Sequence, residues 1–62
     1  MSYVAVDKDS EEWGYLAKPE RDIEYNNKWQ PINDTPCIEL PKGSIEKLIV
    51  RKLTWEDEPV EI

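Results

Sequence analysis

Apart from hydroxyl groups, Cys37 is the only candidate nucleophile in this sequence, and the base that usually activates a thiol is missing. The chain contains no histidine, the common proton acceptor beside a catalytic cysteine. Glu39 lies two positions later, on the same side of an extended strand, and a nearby carboxylate disfavours the thiolate. We therefore interpret Cys37 as a packed or half-exposed structural residue.

Carboxylates alternate in one short segment. Asp7, Asp9 and Glu11 occupy every second position, as in the first half of an EF-hand calcium loop. The other positions do not match, because Glu12 stands where that loop requires Gly and Lys18 stands where a bidentate Glu closes it. Asp and Ser favour turns through local hydrogen bonds. The pattern therefore favours a solvated hairpin turn over a calcium site.

The remaining residue types give no support for a metal site or an enzyme. The C-terminal acids could chelate a hard cation, but a solvated acidic tail is the favoured interpretation. These acids are Glu56, Asp57, Glu58 and Glu61. One thiol with carboxylates is a poor ligand set for zinc. Paired carboxylates could catalyse hydrolysis only in a cleft, which so short a chain rarely encloses. We predict no catalytic residue, no cofactor and no metal.

Positive charge is concentrated in residues 42–52. This segment holds four bases and one acid, a charge of +3, whereas the rest of the chain holds four bases and thirteen acids, a charge of −9. The four bases are the candidate partner-binding residues Lys42, Lys47, Arg51 and Lys52. They could contact nucleic acid or an acidic protein. The favoured alternative is that they complement a helix C-terminus and pair with the acidic tail, because the charge elsewhere opposes phosphate.

Four aromatic residues admit two interpretations. They could form a platform for a peptide or sugar, or they could fill a core that contains no Phe. The four are Trp13, Tyr15, Trp29 and Trp55. In a domain this small we favour structural use, with at least one Trp partly exposed.

The first half of the chain predicts a hairpin. Residues 3–6 are a short run of β-formers, residues 7–10 are a polar turn cluster, and residues 12–18 form a returning strand that Pro19 ends. The signal is weaker in residues 20–34.

Two interpretations remain open for that weaker segment. A second hairpin could pair a strand around Ile23 and Tyr25 with a return at 28–30. A loop anchored by Trp29 is the alternative.

The second half predicts a strand, a helix and an edge strand. Residues 37–40 alternate, with Ile38 and Leu40 facing inward, and residues 59–62 alternate as a last strand. Ser44 is the predicted N-cap of a helix spanning about 44–51. Four apolar residues at helical spacing are expected to pack on the sheet: Ile45, Leu48, Ile49 and Leu53. Thr54 and Asp57 have capping-box spacing and predict a capped turn. Together these elements predict an α+β fold, a small antiparallel sheet of four to five strands with one short helix.

The C-terminal third contains two distinctive segments, ELPKGSIEKLI at 39–49 and RKLTWEDEPVEI at 51–62. With weaker matches at 18–22 and Trp29, these segments resemble a group of short uncharacterised proteins of gut bacteria and their phages. The group has no assigned activity, so the resemblance implies no function for any residue. The resemblance does imply that members of the group have a glycine at the position of Val50. Because this chain lacks that glycine, we expect its helix to continue by one residue or to end without a left-handed cap.

These observations predict one domain over residues 1–62 that folds without disulfides. No apolar run is long enough to span a membrane, and the N-terminus lacks the features of a signal peptide, so we expect a cytoplasmic protein without membrane contact. We expect a non-enzymatic accessory protein of bacterial or phage origin that binds another protein or a second copy of itself. The alternative is a nucleic-acid-associated or DNA-mimicking regulatory protein, although the charge makes direct binding to nucleic acid less favoured.

Overall fold

The computed structural model of the chain describes residues 2–62. Along them lie β1 (Tyr3–Val6), β2 (Glu12–Tyr15), β3 (Glu20–Asp22), β4 (Lys28–Gln30), β5 (Cys37–Leu40), α1 (Ser44–Ile49) and β6 (Val60–Glu61). Four strands form an antiparallel sheet in the order β5-β2-β1-β6, and β3 and β4 form a separate hairpin. The predicted α+β fold, with a small antiparallel sheet and one short helix, is confirmed.

The first predicted hairpin forms the centre of the sheet. β1 and β2 pair over their whole length, from Tyr3 opposite Tyr15 to Val6 opposite Glu12. β2 ends at Tyr15, so it is shorter than the predicted 12–18 strand. β5 pairs with the outer side of β2, and β6 is an edge strand on the outer side of β1, as predicted for the C-terminus.

One face of the sheet, which we call the helix face, carries α1. Val4 and Val6 point to this face and pack with Ile45 of α1 and with Leu53, and all four are buried. Three partly buried residues pack at the margin of this cluster: Leu40, Ile49 and Val60. The helical spacing therefore correctly assigned Ile45, Ile49 and Leu53 to the core.

The opposite face, the hairpin face, is covered by β3 and β4. Trp29 of β4 is buried there against Ala5 and Tyr15. Its backbone N–H donates to Asp7 Oδ1 at 2.9 Å, its Nε1–H donates to Val6 O at 3.0 Å, and its carbonyl accepts from the Tyr15 hydroxyl at 3.2 Å. One residue thus joins the hairpin to the sheet through both packing and hydrogen bonds.

Residues 20–34 combine the two interpretations that the sequence left open. A hairpin is present, but its first strand begins at Glu20, and Ile23 and Tyr25 lie exposed in the connecting turn. The anchor is Trp29, as the loop alternative proposed. Asp22 Oδ1 accepts from the N–H groups of Glu24 and Tyr25, and these bonds favour a turn at the position where a strand was predicted.

The start of α1 differs from the prediction. The N-cap is Gly43 rather than Ser44, with φ of 93° and no capping side chain of its own. The cap comes from the sheet instead. Glu12 of β2 accepts from Gly43 N–H at 2.8 Å through Oε2 and from Ile45 N–H at 2.9 Å through Oε1. This carboxylate also lies at the positive end of the helix dipole.

The end of α1 differs as well. The helix stops at Ile49 because Val50 adopts the left-handed conformation, with φ of 59° and ψ of 33°. The Val50 N–H donates to Glu46 O at 2.9 Å. The expectation that the helix continues or lacks a left-handed cap is therefore wrong. This conformation is unfavourable for a β-branched residue, and at 87% exposure Val50 gains almost no packing in return.

Val50→Gly is expected to raise the free energy of unfolding by about 1 kcal/mol, because glycine adopts the left-handed conformation without the Cβ clash. The measurement is the urea midpoint at unchanged slope. Gly43→Ala is the matched control with the opposite sign, since Gly43 has φ of 93° and nothing lies within 4 Å of an added Cβ. A Val50→Gly protein that is less stable than the wild type would refute the strain at this position.

Candidate functional site

Part of the helix face is left open because α1 is short. Its six residues span about 9 Å, whereas four strands at a spacing of about 4.8 Å form a sheet about 14 Å across. The ladders also extend beyond the strands, because Leu16 N–H donates to Pro36 O and Ile62 N–H donates to Ser2 O. Of the residues of α1, only Leu48 lines the groove beside this last row of residues.

The uncovered region is a groove with a volume of about 300 Å³. Gly14 forms part of its floor, opposite Ile38 on β5 and Val4 on β1. A Cβ at Gly14 would lie 3.4 Å from Ile38 Cγ2, so the missing side chain is what leaves the depression. We call this feature the apolar groove.

Four large apolar side chains line the groove and remain more than half exposed. They are Leu16 (58%), Ile38 (65%), Leu48 (55%) and Ile62 (51%). None of the residues that line the groove is an Asp, Glu, Lys or Arg, although these types make up 35% of the chain. Isolated exposed apolar residues are ordinary, but several gathered in one groove are typical of a contact surface.

No protein-family model, curated protein or solved structure matches this chain. The helix in residues 2–62 has neither the length nor the apolar character to cross a membrane.

The sequence did not predict the groove. Ile38 and Leu48 were both expected to face the core, and this is wrong. Ile38 does point to the helix face, but it lies on an edge strand beside Gly14 and remains 65% exposed. The signal that could have indicated the groove is Gly14 itself, because a glycine inside a strand marks a place without packing.

The four candidate basic residues do not gather at the groove. Lys42 and Lys52 line a second cavity of about 560 Å³, together with the acidic side chains of Glu12, Glu46 and Glu56. This cavity is therefore lined by charges of both signs. Lys47 and Arg51 line neither cavity, so only two of the four cations share a cavity.

No ion pair joins these four cations to the acidic tail within residues 2–62. Lys47 lies in the last turn of α1, the position predicted for it. Arg51 contributes to a lowered pKa of Asp57, but the main cause is the pair of hydrogen bonds that Thr54 donates to that carboxylate. These bonds form the predicted capped turn.

Cys37 is exposed, so the packed alternative of the prediction is wrong. It borders the groove, but Ile38 and Leu40 are the β5 residues whose side chains point to the helix face. The Cys37 side chain lies on the same side of β5 as Glu39.

Asp7, Asp9 and Glu11 do converge, with carboxylate oxygens within 4.8 Å of one another. Lys28 Nζ lies 3.4 Å from Glu11 Oε1 and 3.9 Å from Asp9 Oδ2, so an ammonium group already pairs with two of the three carboxylates. The hydrogen bond and charge of Glu11, followed by the charge of Asp9, raise the pKa of Lys28.

Asp7 is buried, which corrects the prediction of a fully solvated turn. Burial raises the pKa of this carboxyl group despite the hydrogen bond from Trp29 N–H. The folded state thus holds the proton of Asp7 more tightly than the unfolded state. The contribution of Asp7 to stability is therefore greatest below its ordinary pKa and is lost as pH rises through the raised value.

The aromatic residues lie in the core of the hairpin face and do not form an open platform. Tyr15 and Trp29 are buried, and Trp13 and Trp55 pack beside them partly buried. Arg21 stacks on two of the rings, with its guanidinium carbon 4.6 Å from the Trp29 centroid and 5.0 Å from the Trp55 centroid. Burial, as the first cause, raises the pKa of the Tyr15 hydroxyl, which donates to Trp29 O. Within residues 2–62, Trp13 Nε1 is buried and has no acceptor.

Proposed function

We propose that this chain is a non-enzymatic protein-binding module and that the apolar groove is its contact surface. The observation that carries the proposal is the uncharged lining of the groove, with four large aliphatic side chains more than half exposed. Covering these side chains with a partner removes apolar surface from water, at about 25 cal/mol per Å².

The charge distribution supports a selective contact at this surface. The chain has a net charge of −6, and charged side chains make up a third of it, yet none lines the groove. A partner can therefore bury this surface without removing a charge from water, which would be costly. The charged remainder keeps the free protein soluble.

A non-enzymatic role is supported by the residue types at the groove. Its only nucleophilic sulfur belongs to Cys37, and no imidazole is present in the chain to act as a base.

We further propose a bacterial or phage origin, supported by the resemblance of residues 39–62, and a cytoplasmic location, supported by the single free thiol. Direct binding of nucleic acid has less support, because Lys42 and Lys52 share their cavity with three glutamates.

The test is selection of short random peptides on the immobilised protein, followed by affinity measurements on variants. Leu16→Glu places a charge in the groove, and Ile23→Glu is the matched control, since Ile23 is 68% exposed in a turn outside it. We expect selected peptides that are rich in apolar residues, that bind the control like the wild type, and that lose at least about tenfold in affinity for Leu16→Glu. Failure to select any peptide, or equal binding to both variants, would refute the proposal.

A further inference from the structure

We propose that the open edge of β5 pairs with β5 of a second copy of this chain, forming a closed twofold dimer with a continuous eight-stranded sheet. This proposal goes beyond the function of the groove, and the two surfaces share Ile38, which lines the groove and lies on β5. Its basis is the set of backbone groups along the edge, the side chains opposite one another in the pairing, and the charges at the two ends of the strand.

The ladder between β2 and β5 fixes which backbone groups are free. Leu16 N–H donates to Pro36 O, and hydrogen-bonded pairs alternate with unbonded pairs along an antiparallel ladder. The backbone groups of Ile38 and Leu40 therefore point to β2. Those of Cys37 and Glu39 point away from the sheet, and β5 has no strand on that side in residues 2–62.

Self-pairing in one register uses all of these free groups. In this register Cys37 of each copy faces Glu39 of the other. The N–H of each residue donates to the C=O of the residue opposite, which gives four hydrogen bonds across the twofold axis. If Cys37 faced itself, Glu39 would face Thr35, whose N–H already donates to Ile32 O. If Glu39 faced itself, two carboxylates would be opposed and Cys37 would face Pro41, which has no N–H.

The charges at the ends of β5 complement each other in this arrangement. Asp34 precedes the strand and Lys42 follows it, both are exposed, and neither forms an ion pair in the described part of the chain. Antiparallel pairing brings Lys42 of each copy toward Asp34 of the other. A parallel arrangement would place Lys42 beside Lys42.

The side chains and the prolines favour a closed dimer over a growing aggregate. Ile38 lies on the twofold axis, so Ile38 of one copy contacts Ile38 of the other on the helix face and covers a side chain that is 65% exposed. Pro36 and Pro41 bracket the strand and confine the pairing to this short segment. Because each copy uses the same edge, the contact is isologous and ends at two chains.

The first experiment is disulfide cross-linking at the twofold axis. In a Cys37→Ser background, Ile38→Cys places two thiols in an unbonded antiparallel pair, where the Cα atoms are about 4.5 Å apart, within the range of a disulfide. The matched control is Ile23→Cys in the same background, since Ile23 and Ile38 are similarly exposed. We expect the Ile38 variant to form covalent dimer at least about tenfold faster under mild oxidation. Equal rates would overturn the proposal.

The second experiment is sedimentation of the wild-type protein and a Glu39→Pro variant. The Glu39 N–H faces away from β2, so proline removes an edge donor without breaking the internal ladder. We expect a concentration-dependent dimer for the wild type and a folded monomer for Glu39→Pro. A second set of variants serves if the proline variant is unfolded. Lys42→Asp is expected to weaken the dimer, and the double variant Lys42→Asp with Asp34→Lys is expected to restore it. A wild-type protein that is monomeric up to about 1 mM would overturn the proposal. Peptide binding by the monomeric variant tests the groove separately, so either proposal can fail alone.

Discussion

Trp29→Ala is expected to leave most of the protein unfolded in water. Removing a buried Trp typically costs about 3–5 kcal/mol, and a domain of this size rarely has more than about 3–5 kcal/mol of stability in total. Trp29 is 6% exposed and is the part of the β3–β4 hairpin that packs between Ala5 and Tyr15. Without it, the hairpin face would lose both its cover and the edge-to-face contact with Trp55 at 5.8 Å.

The comparison with Trp29→Phe separates packing from hydrogen bonding. Phe keeps a ring in the core but loses the Nε1–H that donates to Val6 O, so we expect a folded protein destabilised by about 1–2 kcal/mol. Tyr25→Ala is the aromatic control in the same hairpin, because Tyr25 is 82% exposed, and it is expected to change stability by no more than about 0.5 kcal/mol. Urea unfolding followed by circular dichroism measures all three. A cooperative transition of Trp29→Ala near the wild-type midpoint would contradict this account.

Local signals in the sequence predicted the elements whose residue pattern alone is typical of a strand or a helix. The hairpin of β1 and β2 follows from a β-forming run, a polar turn and an alternating return, and α1 follows from the spacing of Ile45, Ile49 and Leu53. The edge position of β6 was likewise predicted. The two strands of the β1–β2 hairpin are neighbours in sequence, whereas β6 pairs with β1 from the far end of the chain and α1 packs on Val4 and Val6, so for these two the residue pattern identified the element but not its partner.

The errors occurred where a distant residue decides the local structure. The N-cap was assigned to Ser44 because the sequence around α1 offers a hydroxyl there, but the capping group is Glu12, 31 residues before Gly43 in the chain. The weak β3–β4 hairpin is stabilised by Trp29 binding to the sheet, and its own sequence favours a turn at Asp22. Neither contact leaves a trace in the local pattern.

The candidate site was missed for a related reason. Ile38 and Leu48 have the spacing of core residues, yet both are more than half exposed, and Gly14 offers no side chain to cover Ile38. Charge pointed instead to Lys42 and its three basic neighbours, of which only Lys42 and Lys52 line the second cavity. An apolar contact surface and a core face have the same sequence pattern. They differ in how much of the apolar face is covered by another element of the fold.

Glu12→Ala is expected to lower the free energy of unfolding by about 2–3 kcal/mol, the second largest effect in this molecule. The carboxylate accepts two backbone hydrogen bonds at the start of α1, at 2.8 and 2.9 Å. The N-cap residue Gly43 has no side chain that could accept these bonds in its place. Hydrogen bonds to a charged group contribute about 1.5–3 kcal/mol, and unsatisfied N–H groups at a partly buried helix start add a further cost. Because α1 covers Val4 and Val6, loosening its first turn also exposes the core of the helix face.

Glu12→Gln tests whether the two bonds act together. Gln offers one acceptor oxygen and an NH₂ group that faces a second donor, so we expect a loss of about 1 kcal/mol, intermediate between the wild type and Glu12→Ala. Glu56→Ala removes an exposed carboxylate at the same cavity that makes no hydrogen bond in residues 2–62, and we expect little change from it. Amide hydrogen exchange at Gly43 and Ile45 should accelerate in both Glu12 variants before the sheet opens. If Glu12→Ala and Glu56→Ala had the same stability, the carboxylate would not be the cap of α1, and the short helix would have to be held by Ile45 and Leu53 alone.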